Sequence, residues 1–165
     1  MATGTVELVD ILDARGASME EMVRLLEEER QAIISFDTER LQVAAARKVH
    51  VAALMEELDG TCRVALARAG ERHGLADNAT LSPIIARTPQ PDRAELAAIQ
   101  VKLGSLASDI RRMLDDNRRL LESSLTTIGR SLSFFQSRFK VAETYGGSGQ
   151  MVERGANAGL LRREI

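Results

Sequence analysis

Apolar residues between Asp92 and Lys140 recur three or four positions apart, which is the spacing of one face of an α-helix. Only two glycines, Gly104 and Gly129, would weaken a helix in this stretch. The pattern predicts a single helix over about 92–140, roughly 75 Å long at about 1.5 Å per residue. Because a helix of this length is stable in water only when its apolar face is covered, the rest of the chain or a partner must cover it.

The apolar stripe of this predicted helix changes direction near its middle. Its first half has the alternating three- and four-residue steps of a coiled-coil seam. That seam consists of Leu96, Ile99, Leu103, Leu106, Ile110 and Met113. Near Asn117 the steps change, which corresponds to a four-residue stutter. After it, the stripe consists of Leu121, Leu125, Ile128, Leu132, Phe135 and Phe139. We expect the two halves to present differently aimed apolar surfaces.

Two shorter apolar-striped segments predict helices over about 5–35 and 38–73. The first seam consists of Leu8, Leu12, Met19, Met22, Leu26, Ile33 and Phe36, with Leu25 at its flank and Arg15 and Glu29 as polar interruptions. The second consists of Leu41, Ala44, Val51, Met55, Leu58, Cys62 and Ala65. Gly16 is a candidate for a kink or break in the first helix.

The connection between these two helices is very short, which favours an antiparallel hairpin over one bent helix, the alternative. Asp37 can cap the second helix by accepting a backbone N–H, and Gly74 is placed to end it in the left-handed conformation. Because both helices are shorter than the third, we expect the region after the stutter to stay uncovered by them.

The remaining segments are a linker and a tail. The linker, 75–91, holds all three prolines and predicts one or two helical turns from Pro83 to Arg87. The tail, 143–165, is rich in glycine and too poor in apolar residues to fold alone, so we expect it to be flexible. The predicted fold class is therefore all-α: an antiparallel helical bundle or coiled coil of three main helices over 1–142, the third the longest.

Composition narrows the classes of function. A chain of 165 residues has room for one domain, and a net charge of -2 provides no sustained basic face for nucleic acid. No apolar run approaches the roughly 20 residues that cross a bilayer, and the first residues lack a signal-peptide pattern. A single cysteine, Cys62, fits a reducing compartment, so the cytoplasm is the expected location.

Catalytic and metal chemistry have little support in the sequence. His50 and Cys62 are separated by about 18 Å along one helix, too far for a nucleophile and its base. With two histidines, one cysteine and no Glu-x-x-His or His-Glu-x-x-His motif, no metal site is expected. We predict neither an enzyme nor a cofactor; a metal or cofactor bundle ranks below the other hypotheses.

Two features have more than one interpretation. Asn117, on the long seam, is either a solvated or backbone-bonded polar residue or a group that sets helix register and partner alignment. Phe134, Phe135, Phe139 and Tyr145 cluster within twelve residues. They either close the open end of the bundle or form an exposed patch that docks a partner helix.

Two segments of this chain have a distinctive pattern: Asn117-x-x-Leu120-Leu121-Glu122-x-x-Leu125 and Thr144-Tyr145-Gly146-x-x-Gly149-Gln150. They resemble the FlgN family of flagellar export chaperones. The front half is similar more loosely, through Phe36-Asp37-Thr38-Glu39-Arg40-Leu41, then Arg47-Lys48, Leu54 and Leu58. This chain departs in its longer linker, which affects the expected bundle geometry more than the role of the tail.

The resemblance implies a cytoplasmic chaperone of flagellar type III secretion. Its partners would be hook–filament junction proteins (FlgK-like and FlgL-like), held by their C-terminal helices until export, and an export gate protein (FlhA-like). The C-terminal part of the family engages the client, and the tyrosine of the Tyr-Gly segment, here Tyr145, helps dock on the gate.

On this chain the predicted client contacts are the stripe after the stutter, because an apolar stripe at helical spacing matches an amphipathic client helix. They are Leu121, Leu125, Ile128, Leu132, Phe135 and Phe139. The alternative is a structural coiled-coil protein that pairs the same stripe with itself and has no client, and a weak homo-oligomer is compatible with either hypothesis.

Overall fold

A computed structural model describes residues 3–76 and 80–144, with side chains described for 6–76 and 80–138. These residues form four α-helices and no strand: α1 Thr3–Ile34, α2 Thr38–Arg72, α3 Leu81–Arg87 and α4 Asp92–Thr144. The all-α prediction is confirmed, and the three long helices begin and end within a few residues of the predicted bounds. The predicted count omitted α3, which lies in the linker where the prolines indicated one or two turns.

The α1–α2 connection is an antiparallel hairpin, and the bent-helix alternative is wrong. Asp37 caps α2, because its Oδ1 accepts the backbone N–H of Arg40 at 3.0 Å. Ion pairs then join early α2 to late α1 and late α2 to early α1. Arg47 bonds Glu28 at 2.9 Å, and Arg68 bonds Glu7 at 3.3 Å.

Both helices of this hairpin end in the same backbone motif with different residues at its key position. At the end of α1, the N–H of Phe36 donates to the Ile33 carbonyl and the N–H of Asp37 donates to the Ala32 carbonyl, at 3.2 and 2.9 Å. This pair of bonds is a Schellman motif, which requires a left-handed residue, and Phe36 takes a φ of 54°. Glycine usually fills that position because a Cβ there causes strain.

The end of α2 repeats the motif with the expected residue. The N–H of Gly74 donates to the Glu71 carbonyl at 3.0 Å, and that of Leu75 donates to the Gly70 carbonyl at 2.9 Å. Gly74 has a φ of 63°, as predicted for a left-handed cap. The sequence did not signal the matching turn at Phe36, which was predicted as a seam residue. That prediction is wrong: Phe36 is 59% exposed, because the left-handed turn takes it off the helical face.

The chain divides into two compact units, Met1–Glu122 and Ser123–Ile165. In the first unit α4 runs parallel to α1, since Lys102 bonds Glu20 and Asn117 bonds Leu26 further along both helices. One apolar cluster fills the end where α4 begins. It contains Leu8, Val9, Leu12, Cys62, Ala65, Ala69, Ile84, Leu96 and Ile99. α3 contributes Ile84 to this cluster and is tied to α4 by a hydrogen bond from Gln100 to Ser82.

A second cluster lies nearer the hairpin turn. It contains Met22, Leu25, Leu26 and Val51, with Met55, Ile110 and Met113 packed against it. Apart from Phe36, every predicted seam residue of α1 is buried, and Leu25, predicted only as a flank, is fully buried. α1 continues through Gly16 without a break, and a Cβ placed there would lie 3.6 Å from Leu103. Gly16 therefore sits at a close approach of two helices.

The predicted domain boundary at 142/143 stays a prediction. The division after Glu122 falls inside α4, in the region where its apolar stripe changes from buried or half-buried, up to Met113, to exposed, from Leu121 on. The predicted flexible tail, 143–165, lies outside the described residues apart from the last two positions of α4.

Candidate partner-binding surface on α4

Among the α4 side chains described, those up to Arg138, Asn117 is the last that is buried, at 4% exposed. Its amide nitrogen donates to the Leu26 carbonyl at 2.7 Å and to the Glu29 carboxylate at 2.9 Å. The other carboxylate oxygen of Glu29 pairs with Lys48 of α2. One polar layer therefore joins α4, α1 and α2 at a single level of the first unit.

The geometry of this layer answers part of the question that the sequence left open about Asn117. Asn117 is backbone-bonded and buried rather than solvated, and it also bonds a charged side chain. Sliding α4 by one turn along α1 would break both bonds of the amide, so the geometry fixes the register of these two helices. The sequence indicated Glu29 and Asn117 as separate interruptions of two seams. It did not indicate that they meet.

Ion pairs accompany the buried stripe of the first unit. Lys102 of α4 bonds Glu20 of α1 at 2.8 Å, and Arg15 bonds Asp59 of α2 at 2.8 Å. The hydrogen bond from Lys102 and its charge lower the pKa of Glu20, and the same bond raises the pKa of Lys102. Each pair is exposed enough that it specifies which helices meet more than it stabilises them.

The stripe of the second unit has no such cover. Leu125, Ile128 and Leu132 are 60%, 49% and 57% exposed, and Phe135 is exposed to a similar degree. Leu121, at the end of the first unit, is at the margin with 37%. Phe139 lies within α4 but its side chain is outside the described residues, as is Tyr145 altogether. An apolar stripe left open to water along several turns is typical of a surface that binds another protein.

Phe134 and Phe135 are adjacent but point to different sides of α4, since successive residues are about 100° apart around a helix. Phe135 belongs to the stripe, whereas Phe134 lies about 180° from Leu125. The guanidinium of Arg138 sits 5.4 Å from the centre of the Phe134 ring, and the two rings meet edge to face at 5.9 Å. Both are more than half exposed, so the hypothesis that they close the end of the bundle is wrong for these two residues.

The polar residues around this stripe are small. Of the 16 residues from Ser123 to Arg138, five are serine, two threonine and one glycine, and the only charged residues are Arg130 and Arg138. Three of the hydroxyls bond back to carbonyls of their own helix, those of Thr127, Ser133 and Ser137. Sequence reasoning overlooked this composition, although it is visible in the printed chain. It leaves the stripe without the flanking charges that pair helices in the first unit.

Cys62 and His50, the two residues weighed for catalysis, lie in different surroundings. Cys62 is buried in the first apolar cluster, where burial raises the pKa of its thiol, whereas His50 is exposed on α2. Within 3–76 and 80–144, no three His, Cys, Asp or Glu side chains are arranged to hold a metal ion. None of the helices in these same ranges has the length and apolar character needed to cross a membrane.

Comparison with protein families shows which family the chain belongs to. Residues 1–153 match the family described as FlgN protein. The chain belongs to the FlgN family. This is a family of flagellar export chaperones and not of enzymes, so membership confirms the resemblance seen in the sequence and indicates a chaperone that binds flagellar proteins. No curated protein and no solved structure matches the chain.

Proposed function

We propose that this FlgN-family protein is a cytoplasmic chaperone of the flagellar type III secretion system that binds the C-terminal helices of hook–filament junction proteins. One observation carries the proposal: the apolar stripe of α4 is buried or half-buried from Leu96 to Met113 and exposed from Leu125 to Phe135. A chaperone needs such a surface, because a subunit that assembles through amphipathic helices must have them covered before export. The family match supplies the flagellar context.

The proposed client surface consists of the exposed stripe. Its members are Leu121, Leu125, Ile128, Leu132, Phe135 and Phe139. An amphipathic client helix laid along Leu125 to Phe135 would bury its own apolar face against these side chains. A specific complex typically buries about 1,200 Å² or more in total, which a helix pair of several turns approaches and a second client helix would exceed.

The proposed second role belongs to Tyr145, which docks the loaded chaperone on the export gate protein. This proposal is supported by the family match, which extends past this residue to 153. Tyr145→Ala should leave client binding intact while weakening gate docking. Equal loss of both would place the tyrosine on the client surface instead.

The client proposal is tested by co-expression with junction proteins and size-exclusion chromatography. Full-length protein should elute with client, and a chain ending after Thr127 should elute alone while keeping the helical circular dichroism of the first unit. As a finer version, Leu132→Asp in the full chain should abolish co-elution without changing the unfolding temperature. A truncated chain or an L132D variant that still carries client would remove these residues from the site.

Self-pairing of the stripe is the second candidate, favoured by the same exposure of Leu125 to Phe135. Light scattering separates the two. A tight dimer that L132D converts to a monomer, with no client bound at any stage, would support a structural coiled coil. A monomer or weak oligomer that binds client one to one supports the chaperone.

A further inference from the structure

The second unit contains a helix that is poorly favoured by its own sequence. Half of the residues from Ser123 to Arg138 are serine, threonine or glycine, against three of 31 in the preceding Asp92–Glu122. Glycine costs a helix about 1 kcal/mol relative to alanine, and serine and threonine cost roughly half of that. Three of the hydroxyls in this stretch bond carbonyls four or three residues back, which competes with the backbone ladder and does not strengthen it.

Burial does not compensate for this weak propensity. All side chains from Ser123 to Arg138 are exposed except that of Ser124, which is half-buried. A helix of this length gains most of its stability from packing an apolar face, because propensity alone leaves it marginal in water. Leu125, Ile128, Leu132 and Phe135 are that face, and water covers it.

We propose that the helix over Ser123–Thr144 is only partly populated in the free chain and is completed by the client. This inference rests on the proposed function and adds its regulation: binding includes the cost of forming the helix. The apparent affinity for the client is then lowered, because only the fraction of chains with a formed helix can bind it. On release at the export gate, the segment returns to its partly unfolded state. Serine and threonine on the face away from the client keep that cost high.

The inference is testable because helix propensity can be changed without touching the stripe. Ser123, Thr127 and Ser137 lie about 120° to 160° around the helix from the centre of the stripe. Changing all three to alanine should raise the helical circular dichroism of the free chain, and changing all three to glycine should lower it. These two variants form a matched pair, since both delete the same hydroxyls and neither adds a contact.

Binding should follow the same order. With the C-terminal helical segment of a hook–filament junction protein as the probe, calorimetry should give a Kd severalfold lower for the alanine variant and about tenfold higher for the glycine variant than for the natural chain. All three complexes should have the same final helicity. Amide hydrogen exchange should be fast over 123–144 in the free chain and slow in the complex, while 92–122 is protected in both.

The failures of this inference and of the proposed function are distinct. If the alanine and glycine variants have equal free helicity, or bind the probe with equal Kd while L132D does not bind, the helix is preformed and the inference is overturned, but the client site stands. If L132D binds the probe as well as the natural chain, the proposed function fails. The circular dichroism of the free variants is measured without client. It therefore tests whether the helix is preformed even if the proposed function fails.

Discussion

Leu96 and Leu132 stand on the same helix, in stripes of the same helical spacing, yet Leu96 is 1% exposed and Leu132 is 57% exposed. Around Leu96 and the residues that follow it, α4 carries charged and amide groups that bond other helices, such as Lys102 and Asn117. Around Leu132 its polar residues are serine, glutamine and a single charged residue, Arg130. Apolar spacing therefore predicts a surface to be covered, and the polar residues beside it indicate whether the chain itself provides the cover.

The largest expected effect is on stability, and it distinguishes the buried apolar cluster from the exposed stripe. Leu26→Ala in the buried cluster should lower the free energy of unfolding by about 2 to 5 kcal/mol, because it leaves a cavity among fully buried side chains. Leu132→Ala should change it by less than about 0.5 kcal/mol, since water already reaches this side chain. Urea unfolding followed by circular dichroism measures both. A loss at Leu132 as large as that at Leu26 would mean that the stripe after Glu122 is part of the core.

The next effect is on client binding, and it distinguishes two adjacent phenylalanines. Phe135→Ala should weaken client binding by about tenfold or more, as expected for an aromatic anchor on the stripe. Phe134→Ala is the matched control: its ring is equally exposed but lies on another face, over which Arg138 packs. It should change the Kd by less than about threefold. Equal losses in calorimetry would show that the client does not select the stripe.

At the polar layer we expect a loss of stability at the lower end of that expected for Leu26→Ala. Asn117→Asp removes the donor to Leu26 and places a carboxylate beside Glu29, so unfolding should become easier by about 2 kcal/mol. Glu29→Gln in the same chain restores a donor facing position 117 and should recover part of the loss. If the double variant is less stable than the sum of the single changes, the two groups do not interact as described.

The two helix ends provide a matched pair with opposite signs. Phe36→Gly should stabilise the first unit by about 1 kcal/mol, because it relieves the left-handed strain of a side chain that is mostly exposed. Gly74→Ala should destabilise by about the same amount, since it introduces the strain that Phe36 already carries. Thermal unfolding of both variants is sufficient. A destabilising Phe36→Gly would mean that the ring makes a contact worth more than the strain.

The smallest expected effect is at an exposed ion pair. Lys102→Met should raise the pKa of Glu20 toward its ordinary value, since the hydrogen bond from Lys102 is the main cause of its depression. The pair stabilises the fold when Glu20 is ionised, and this contribution is lost as the pH falls through the depressed pKa. Because Glu20 is exposed, only its NMR titration should respond. An unchanged titration curve would mean that the pair is not formed in solution.

Most of the fold could be predicted from the sequence because helical periodicity, Asp37 and Gly74 are local signals. Helix bounds, the hairpin and the buried seams followed from them. Phe36 was placed wrongly, since a left-handed turn at a residue other than glycine has no local signature. The meeting of Asn117 with Glu29 was also beyond reach, because it depends on the register of helices that are far apart in sequence.

The apolar stripe could be predicted from the sequence, and its role as the client site stays a prediction. The stripe from Leu121 to Phe139 could be read from spacing, and over Leu125 to Phe135 its side chains are exposed in the part of the chain that the structure describes. The separate face of Phe134 follows from helical geometry once the helix is assigned. The low helix propensity of this stretch is visible in its serine and threonine content, but an analysis of apolar positions alone overlooks it.

Because α1 and α4 run parallel, the position of a label or tag on this protein can be chosen from the structure. Leu8 packs beside Leu96, so a fluorophore or affinity tag joined ahead of α1 is attached at the end of the first unit where α4 starts. From there to Glu122 the helix rises roughly 40 Å. Immobilisation through the amino terminus therefore keeps the sensor surface away from the point where the first unit ends.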